Sequence, residues 1–319
     1  KGEWWRGLEC EVWEEKPTLI IERDTFANFY HDSEDVFNAF MVMGILQLKL
    51  ADVQVLLLDF YPHGPFWELW SSVFPAGVLT AWDVKDKYKT QNVCYKNLIL
   101  NIIGPASPFT IHTSVTPCPK APLVRAYADF LIRGMKLHHL THYVRPEPPQ
   151  YVVVTWMSRK SSVKWPERAF CDERFFKCDL FKHLDMRQLG RVVKNDEEVA
   201  KKLQDLDNEE YKPPRRVVVQ TKDYNVMTLT DQIANDIITD VMVGPHGAGL
   251  MHSVFMSDRA MLIELGIDGS GGLKHFENLQ KWRRSEHQYV RINAKNPVDV
   301  NQVFNKVKEM VGKVDISSY

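Results

Sequence analysis

The sequence predicts an α/β fold in two halves, each a parallel sheet covered by helices on both faces. Three observations lead there. Short apolar runs of strand length alternate with segments whose apolar residues recur every three or four positions, the signature of successive strand-helix-strand units. The alternation stops at Arg145-Pro146-Glu147-Pro148-Pro149 and restarts at Tyr151, and such a proline cluster favours extended backbone suited to an interdomain linker. A length of 319 residues with 45% hydrophobic residues is enough for one large domain or two medium ones.

The first domain, placed at 1–145, opens with the short buried strand Thr18-Leu19-Ile20-Ile21. In the following Asn28-Phe29-Tyr30-His31-Asp32-Ser33, Asp32 or Ser33 can cap a helix start. Val36, Phe37, Phe40, Met43, Leu46 and Leu50 then keep the spacing of an amphipathic helix. Val53 to Phe60 is a nearly unbroken apolar strand, ended by the loop chemistry of Tyr61-Pro62-His63-Gly64-Pro65. Asn97 to Ile103 reads as a strand and Leu123 to Leu137 as a helix. The second domain, placed at 151–296, starts with the β-branched strand Tyr151 to Trp156 and the polar turn Ser158-Arg159-Lys160. Residues 195–212 mix acids and lysines densely, as a solvated helix and loop do. Strands follow at Arg216 to Thr221, Ile237 to Val243 and Met261 to Leu265, with helices at Leu229 to Asp236 and Gly249 to Met256. A last helix at 297–312 carries Val303, Phe304, Val307, Met310 and Val311 at helical spacing and could pack back on either half, the N-terminal one included.

Composition narrows the function. Lys+Arg 40 against Asp+Glu 41 gives a net charge of −1, so the basic excess that a nucleic-acid partner needs is missing. No window reaches about 18 consecutive apolar residues, and Lys1-Gly2-Glu3-Trp4-Trp5 lacks a signal-peptide layout, so this stretch of chain is expected to be soluble. Cys10, Cys94, Cys118, Cys171 and Cys178 are too sparse for a disulfide scaffold and lack the spacing of a zinc site. The sixteen Phe and nine Trp read first as core and second as surfaces on which sugars stack.

The chemistry concentrates in Ile237-Ile238-Thr239-Asp240-Val241-Met242-Val243-Gly244-Pro245-His246-Gly247-Ala248-Gly249-Leu250. A buried strand runs through a turn with three glycines and a histidine into a helix, which gathers free backbone N–H groups at one point and suits an anion. A tight turn with a structural histidine is the plainer reading of the same residues. The spacing Gly244, Gly247, Gly249 is not the dinucleotide fingerprint, and a Walker loop is absent. Glu264 closes the next apolar strand, where a carboxylate can hold the hydroxyls of a ribose. The sole Asp-x-Asp, Asp205-Leu206-Asp207, lies in the charged stretch and reads as surface. His138 and His139 are adjacent, face different ways on a helix and form a poor shared ligand set. No metal is predicted.

His246-Gly247-Ala248-Gly249-Leu250, with Asp231-Gln232 before it and Phe255-Met256 after it, resembles the signature of glycosyltransferase family 61. Ala27-Asn28-Phe29-Tyr30-His31 followed by Asp35, then Val93-Cys94-Tyr95 and Leu123-Val124-Arg125-Ala126-Tyr127, fall in that family's order. The opening Cys10-Glu11-Val12-Trp13-Glu14-Glu15-Lys16-Pro17-Thr18-Leu19 is most similar to the plant N-glycan β-1,2-xylosyltransferases, whereas Asn-Phe-Tyr-His followed by an acid also occurs in the family's EGF-domain O-GlcNAc transferases. The resemblance implies an inverting transferase of GT-B architecture, two Rossmann-like domains facing a central cleft, with the nucleotide-sugar donor on the C-terminal domain. It implies a UDP-sugar as donor, best read as UDP-xylose, and a protein-linked glycan as acceptor. The alternatives are O-GlcNAc transfer to Ser or Thr of EGF-like domains, or an inactive nucleotide-sugar-binding module. Its members work in the Golgi or ER lumen, so a membrane would enter only through an anchor absent from this chain, as in a type II membrane protein.

An inverting transfer needs a base for the acceptor hydroxyl. His31 and Asp35 stand one helical turn apart; Asp35 is read as the base, His31 as its orienting partner and Glu34 as the reserve. The leaving diphosphate falls to arginine, histidine and backbone amides when no metal is present. Arg159 with its planar fork is the first candidate, beside His246, Gly247, Ala248 and Gly249, while Ser158, Lys160 and Thr228 are weaker donor-side candidates. Arg125 matches a family arginine but reads equally as a structural ion pair. Cys94 and Cys118 match paired family positions, which implies a disulfide, with buried free thiols as the alternative.

Overall fold

The computed structural model describes residues 9–59, 61, 63–89, 91–111, 113, 121–142, 151–159, 192–267, 272–283 and 288–315. Lys160, Cys118, Cys171, Cys178 and the Pro146–Pro149 stretch lie outside the described residues. Among the described residues the chain divides into two compact units, one built on residues up to Thr110 and the other on those from Ile111 onward. The helix Pro122–Gly134 counts with the second unit.

In the first unit, β1 (Val12–Glu14) pairs in parallel with β5 (Val93–Tyr95). A four-stranded parallel sheet is built from β2 (Thr18–Ile21), β3 (Gln54–Leu57), β4 (Val78–Thr80) and β6 (Leu98–Leu100) in the order β4-β3-β2-β6. That order reverses direction between β2 and β6, so the carboxyl ends of these two strands flank a topological switch point, where α/β sheets bind their ligands. The helix α1 (Phe29–Ile45) follows β2. It begins earlier than expected, because Asn28, not Asp32 or Ser33, is the cap: its side-chain oxygen accepts the Tyr30 N–H at 3.1 Å. The early start puts His31, Asp32, Glu34 and Asp35 in the first two turns, at the carboxyl end of the sheet. The short helices α2 (Trp67–Val73) and α3 (Ala81–Tyr88) follow β3 and β4; Thr80 and Asp83 close a capping box on α3.

In the second unit, α4 (Pro122–Gly134) precedes a five-stranded parallel sheet of β7 (Tyr151–Ser158), β8 (Arg216–Asp223), β9 (Val241–Pro245), β10 (Met261–Gly266) and β11 (Tyr289–Asn293). Its order, β11-β10-β9-β7-β8, has a switch point between β7 and β9. The expected strand Ile237 to Val243 starts later, since Ile237 and Ile238 complete helix α6 (Leu229–Ile238). The expected helix after the glycine turn is a 3-10 segment, Ala248–Phe255. One face of the sheet is covered by α5 (Asp196–Leu203) and α8 (Val300–Lys313), with Val199, Leu203, Val303, Val307, Met310 and Val311 buried against Val154, Val241 and Ile263. The C-terminal helix thus packs within the second unit, tied there by Arg215, whose guanidinium donates to the carbonyls of Val311 and Val314 at 2.7 and 2.8 Å. The helix α7 (His275–Trp282) lies between β10 and β11 in sequence.

Candidate functional site

At the first switch point, His31 Nδ1 lies 2.8 Å from Asp24 Oδ2 and 2.9 Å from Glu34 Oε2. Asp24 belongs to the segment leaving β2, and Glu34 to α1. Two carboxylates at Nδ1 favour the tautomer with its proton there, which leaves Nε2 as the basic nitrogen. Burial pulls the His31 pKa down, but the hydrogen bond and charge of Glu34, with the charges of Asp24 and Asp35, outweigh it and raise the value above 6.5. Glu34 is itself fixed by the Thr110 hydroxyl, which donates to Oε1 at 2.7 Å.

Asp35, read from the sequence as the base, is 0% exposed. Its Oδ2 accepts the backbone N–H of Asp24 at 3.2 Å, and its Oδ1 has no hydrogen-bond partner. Burial pushes its carboxyl up to about 8, opposed by the Asp24 N–H and reinforced by the charges of Asp32, Asp24 and Glu34. A Cβ on Gly104, which follows β6, would stand 2.8 Å from Asp35 Oδ1, so the chain leaving β6 closes over this carboxyl. Of His31, Glu34 and Asp35, the residues read from the sequence as catalytic, His31 with a side chain 33% exposed is the one that reaches the surface. Asp32 is also buried; burial lifts it to about 7 against the pull of the Trp70 N–H, which donates at 3.0 Å, and of Arg23.

The segment carrying Asp24 is anchored by a buried ion pair that sequence reasoning missed. Arg23 donates from Nε and Nη2 to the two oxygens of Asp59 at 2.9 and 2.7 Å, and its backbone N–H joins Oδ2 at 3.1 Å. Arg23-Asp24 and Asp59 each begin two residues past the end of a neighbouring strand, β2 and β3; position at strand ends was the available signal. Asp24, His31 and Glu34 place their ligand atoms within 4.8 Å of one another, a spacing able to hold a divalent cation.

At the second switch point, Arg159 directly follows β7 and His246 directly follows β9. His246 is 2% exposed, and its Nδ1 lies 2.6 Å from Glu264 Oε1. Glu264 does not close its strand. It is the fourth of the six residues of β10, 1% exposed, and also accepts the Tyr289 hydroxyl at 2.6 Å while pairing with Arg291 at 3.1 Å. Both its oxygens are engaged, one by His246 and Arg291 and the other by Tyr289. Tyr289 and Arg291 lie on β11, opposite Leu262 and Glu264 in the parallel register, a strand absent from the sequence reading.

The glycines divide by cause. Gly247 has φ +156°, a value L side chains rarely adopt. Gly244 and Gly249 answer to packing: a Cβ on Gly244 would lie 3.0 Å from Met157 Cβ, and one on Gly249 would lie 2.6 Å from Met157 Sδ. Met157 of β7 thus fills the space under the turn. Ser158 and Thr228 are committed elsewhere. The buried Ser158 hydroxyl donates to Asp196 Oδ2 at 2.8 Å. The exposed Thr228 caps α6, accepting the Asp231 N–H at 3.1 Å. Arg125 pairs with Asp129 and Asp258 and reaches the Met256 carbonyl, the structural role open to it in the sequence. Asp207 is held by Arg216 at 2.6 Å, on the 3-10 turn Gln204–Asn208 at the edge of β8, as a surface pair. Cys94 is joined to Cys10, which corrects the expected pairing with Cys118: the parallel pairing of β1 with β5 brings residue 10 beside residue 94.

No protein-family model matches the chain. It is similar to the EGF domain-specific O-linked N-acetylglucosamine transferase of Drosophila melanogaster, 28% identical over 264 residues that cover 80% of this chain and 42% of the relative. The proteins of the same name from Mus musculus and Bos taurus are 24% and 25% identical over 263 and 265 residues, each alignment covering 81% of this chain and 42% of the relative. The chain thus spans about two fifths of the length of the curated relatives it matches, and what it is similar to is a group of glycosyltransferases that act on EGF domains.

Proposed function

We propose that this chain is the catalytic region of an inverting glycosyltransferase of family 61 and GT-B type, which moves N-acetylglucosamine from UDP-GlcNAc to a Ser or Thr hydroxyl of an EGF-like domain. The observation that carries the reading is that each of the two switch points carries a histidine whose Nδ1 is held by carboxylate: His31 by Asp24 and Glu34, His246 by Glu264. The relatives' names favour GlcNAc and a protein hydroxyl over xylose and an N-glycan, and none of those quoted supports the xylosyl reading.

In this mechanism His31 Nε2 takes the acceptor proton, since Nδ1 already faces two carboxylates whose charge stabilises the imidazolium that forms. Asp35 becomes a positioning residue, because it holds Asp24 by the backbone and has no surface of its own. In the second unit, Arg159, His246 and the backbone N–H groups of the glycine turn meet the charge that develops on the leaving UDP. The reaction needs no metal in this reading, and its place is an oxidising lumen of the ER or Golgi, which the Cys10–Cys94 disulfide supports.

The test is transfer to an EGF-like domain from UDP-GlcNAc, with UDP-xylose and an N-glycan as the competing donor and acceptor. Transfer is expected with the first pair, with His31→Ala lowering kcat by about 100-fold or more. A wild-type protein that moves only xylose, or a His31→Ala protein with unchanged turnover, overturns the assignment. Transfer is expected to survive EDTA; a loss restored by Mn²⁺ or Mg²⁺ would instead give Asp24, His31 and Glu34 to a cation.

A further inference from the structure

In the same unit as His31, the chain carries an aromatic surface to which the glycosyl-transfer chemistry gives no task. The imidazole of His63 lies flat on Trp67, ring centroids 3.8 Å apart and planes within 12°. His63 is exposed and Trp67, Phe66 and Tyr61 are half-buried. Beneath them lie the buried rings of Phe26, 5.2 Å from Tyr61, and Phe29, 5.4 Å from Phe66. Phe29 opens α1 two residues before His31, so this layer and the candidate base share one helix start.

The loop that presents these rings is fixed from below. Arg23 donates to the carbonyls of His63 and Tyr61 at 3.2 and 3.3 Å while it grips Asp59. Gly64 sits at φ +76°, and a Cβ there would lie 2.2 Å from the Phe26 carbonyl oxygen, so only glycine brings the loop this close. The Tyr61 hydroxyl reaches back to the Asp24 carbonyl at 3.4 Å. A flat, preorganised pair of rings loses little entropy when a third ring is laid on it.

We propose that His63, Trp67 and Tyr61 form the acceptor subsite, a shelf that takes an aromatic or proline ring of the acceptor polypeptide next to the reacting hydroxyl. This rests on the glycosyl-transfer reading above. In that reading the acceptor hydroxyl sits on a polypeptide, so the ring laid on the shelf is a side-chain ring of that polypeptide. Arg23 turns inward to Asp59 and the loop carbonyls, and the Tyr61 hydroxyl turns to Asp24, which leaves the ring faces for stacking. The nearby carboxylates of Asp24 and Glu34 make a neutral or cationic neighbour of the hydroxyl preferable to an acidic one.

The experiment uses the full chain with an EGF-like domain that carries a ring beside its acceptor Ser or Thr, and a matched domain with that ring changed to alanine. Stacking contributions of this kind amount to about a two- to tenfold change in affinity per ring. Trp67→Ala and His63→Ala are each expected to raise the acceptor KM by that factor, leave UDP affinity unchanged, and lose the wild-type preference for the ring-bearing domain. Trp67→Phe, which keeps a ring and controls for folding, is expected to retain the preference. An acceptor KM unmoved in the alanine variants, or a preference that persists in them, overturns the shelf and leaves the transfer reading standing. Competition by a free N-glycan that is stronger than by the domain also overturns it, in favour of a sugar surface. A wild-type protein that transfers nothing to either domain removes the transfer reading and the shelf with it.

Discussion

His31 touches two carboxylates through one nitrogen, and the sign of that arrangement can be read in a pH profile. A base acts deprotonated, so a raised pKa moves the acid limb of kcat/KM to higher pH. Glu34→Gln removes the hydrogen-bonded charge first among those that raise the value, and the acid limb is expected to shift to lower pH. A limb that stays in place would belong to another group. Asp35 gives a stability signature of opposite kind. Unfolded, it loses its proton near the ordinary 3.8; folded, it keeps the proton to about 8. Between those values the folded state binds the extra proton, so stability falls as pH rises, by at most about 1.4 kcal/mol per pH unit. Asp35→Asn removes the dependence, and its Tm relative to wild type is expected to climb from about pH 5 to about pH 8. A constant difference would place the titration elsewhere. That His31, Glu34 and Asp35 share the start of one helix was legible because the three lie within five positions ahead of an amphipathic pattern. Asp24, Arg23 and Asp59 were not, because their meeting depends on where two parallel strands end in space.

Among the elements, the glycine-histidine turn shows how one motif answers two demands. Met157 lies against Gly244 and Gly249, so two of the three glycines are explained by packing between β7 and the turn. Gly249→Ala is expected to cost about 1–3 kcal/mol through overpacking, measured by denaturant unfolding, with a smaller cost in a Met157→Ala background. Equal costs in both backgrounds would refute the packing account. The long strands and helices were legible from periodicity, and boundaries failed where apolar residues continued across a change of element, as at Ile237 and Ile238. The Thr80–Asp83 capping box and the Asn28 cap were local signals present in the sequence; β11 was not, since Tyr289 and Arg291 alternate with apolar residues over only five positions.

Across the whole molecule, the Cys10–Cys94 bond closes a separation of 84 residues. Cys10→Ser or Cys94→Ser is expected to cost about 2–4 kcal/mol, and peptide mapping without reduction is expected to recover the two segments joined; recovery of Cys94 joined to Cys118 would restore the pairing the sequence implied. The restart of the strand pattern at Tyr151 marks in the sequence where β7, the first strand of the five-stranded sheet, begins. The place of α4 was not legible, because it is one more amphipathic helix in sequence, and only its three-dimensional contacts group it with the second unit. The covering of the second sheet by α8 reaches beyond architecture. A premature stop anywhere ahead of Asp299 would not yield a slightly smaller enzyme: it would strip Val303, Val307, Met310 and Val311 from the sheet and bare a broad oily face. Such a product is destined for quality-control degradation, so a chain cut ahead of Asp299 is expected to yield no soluble protein on expression.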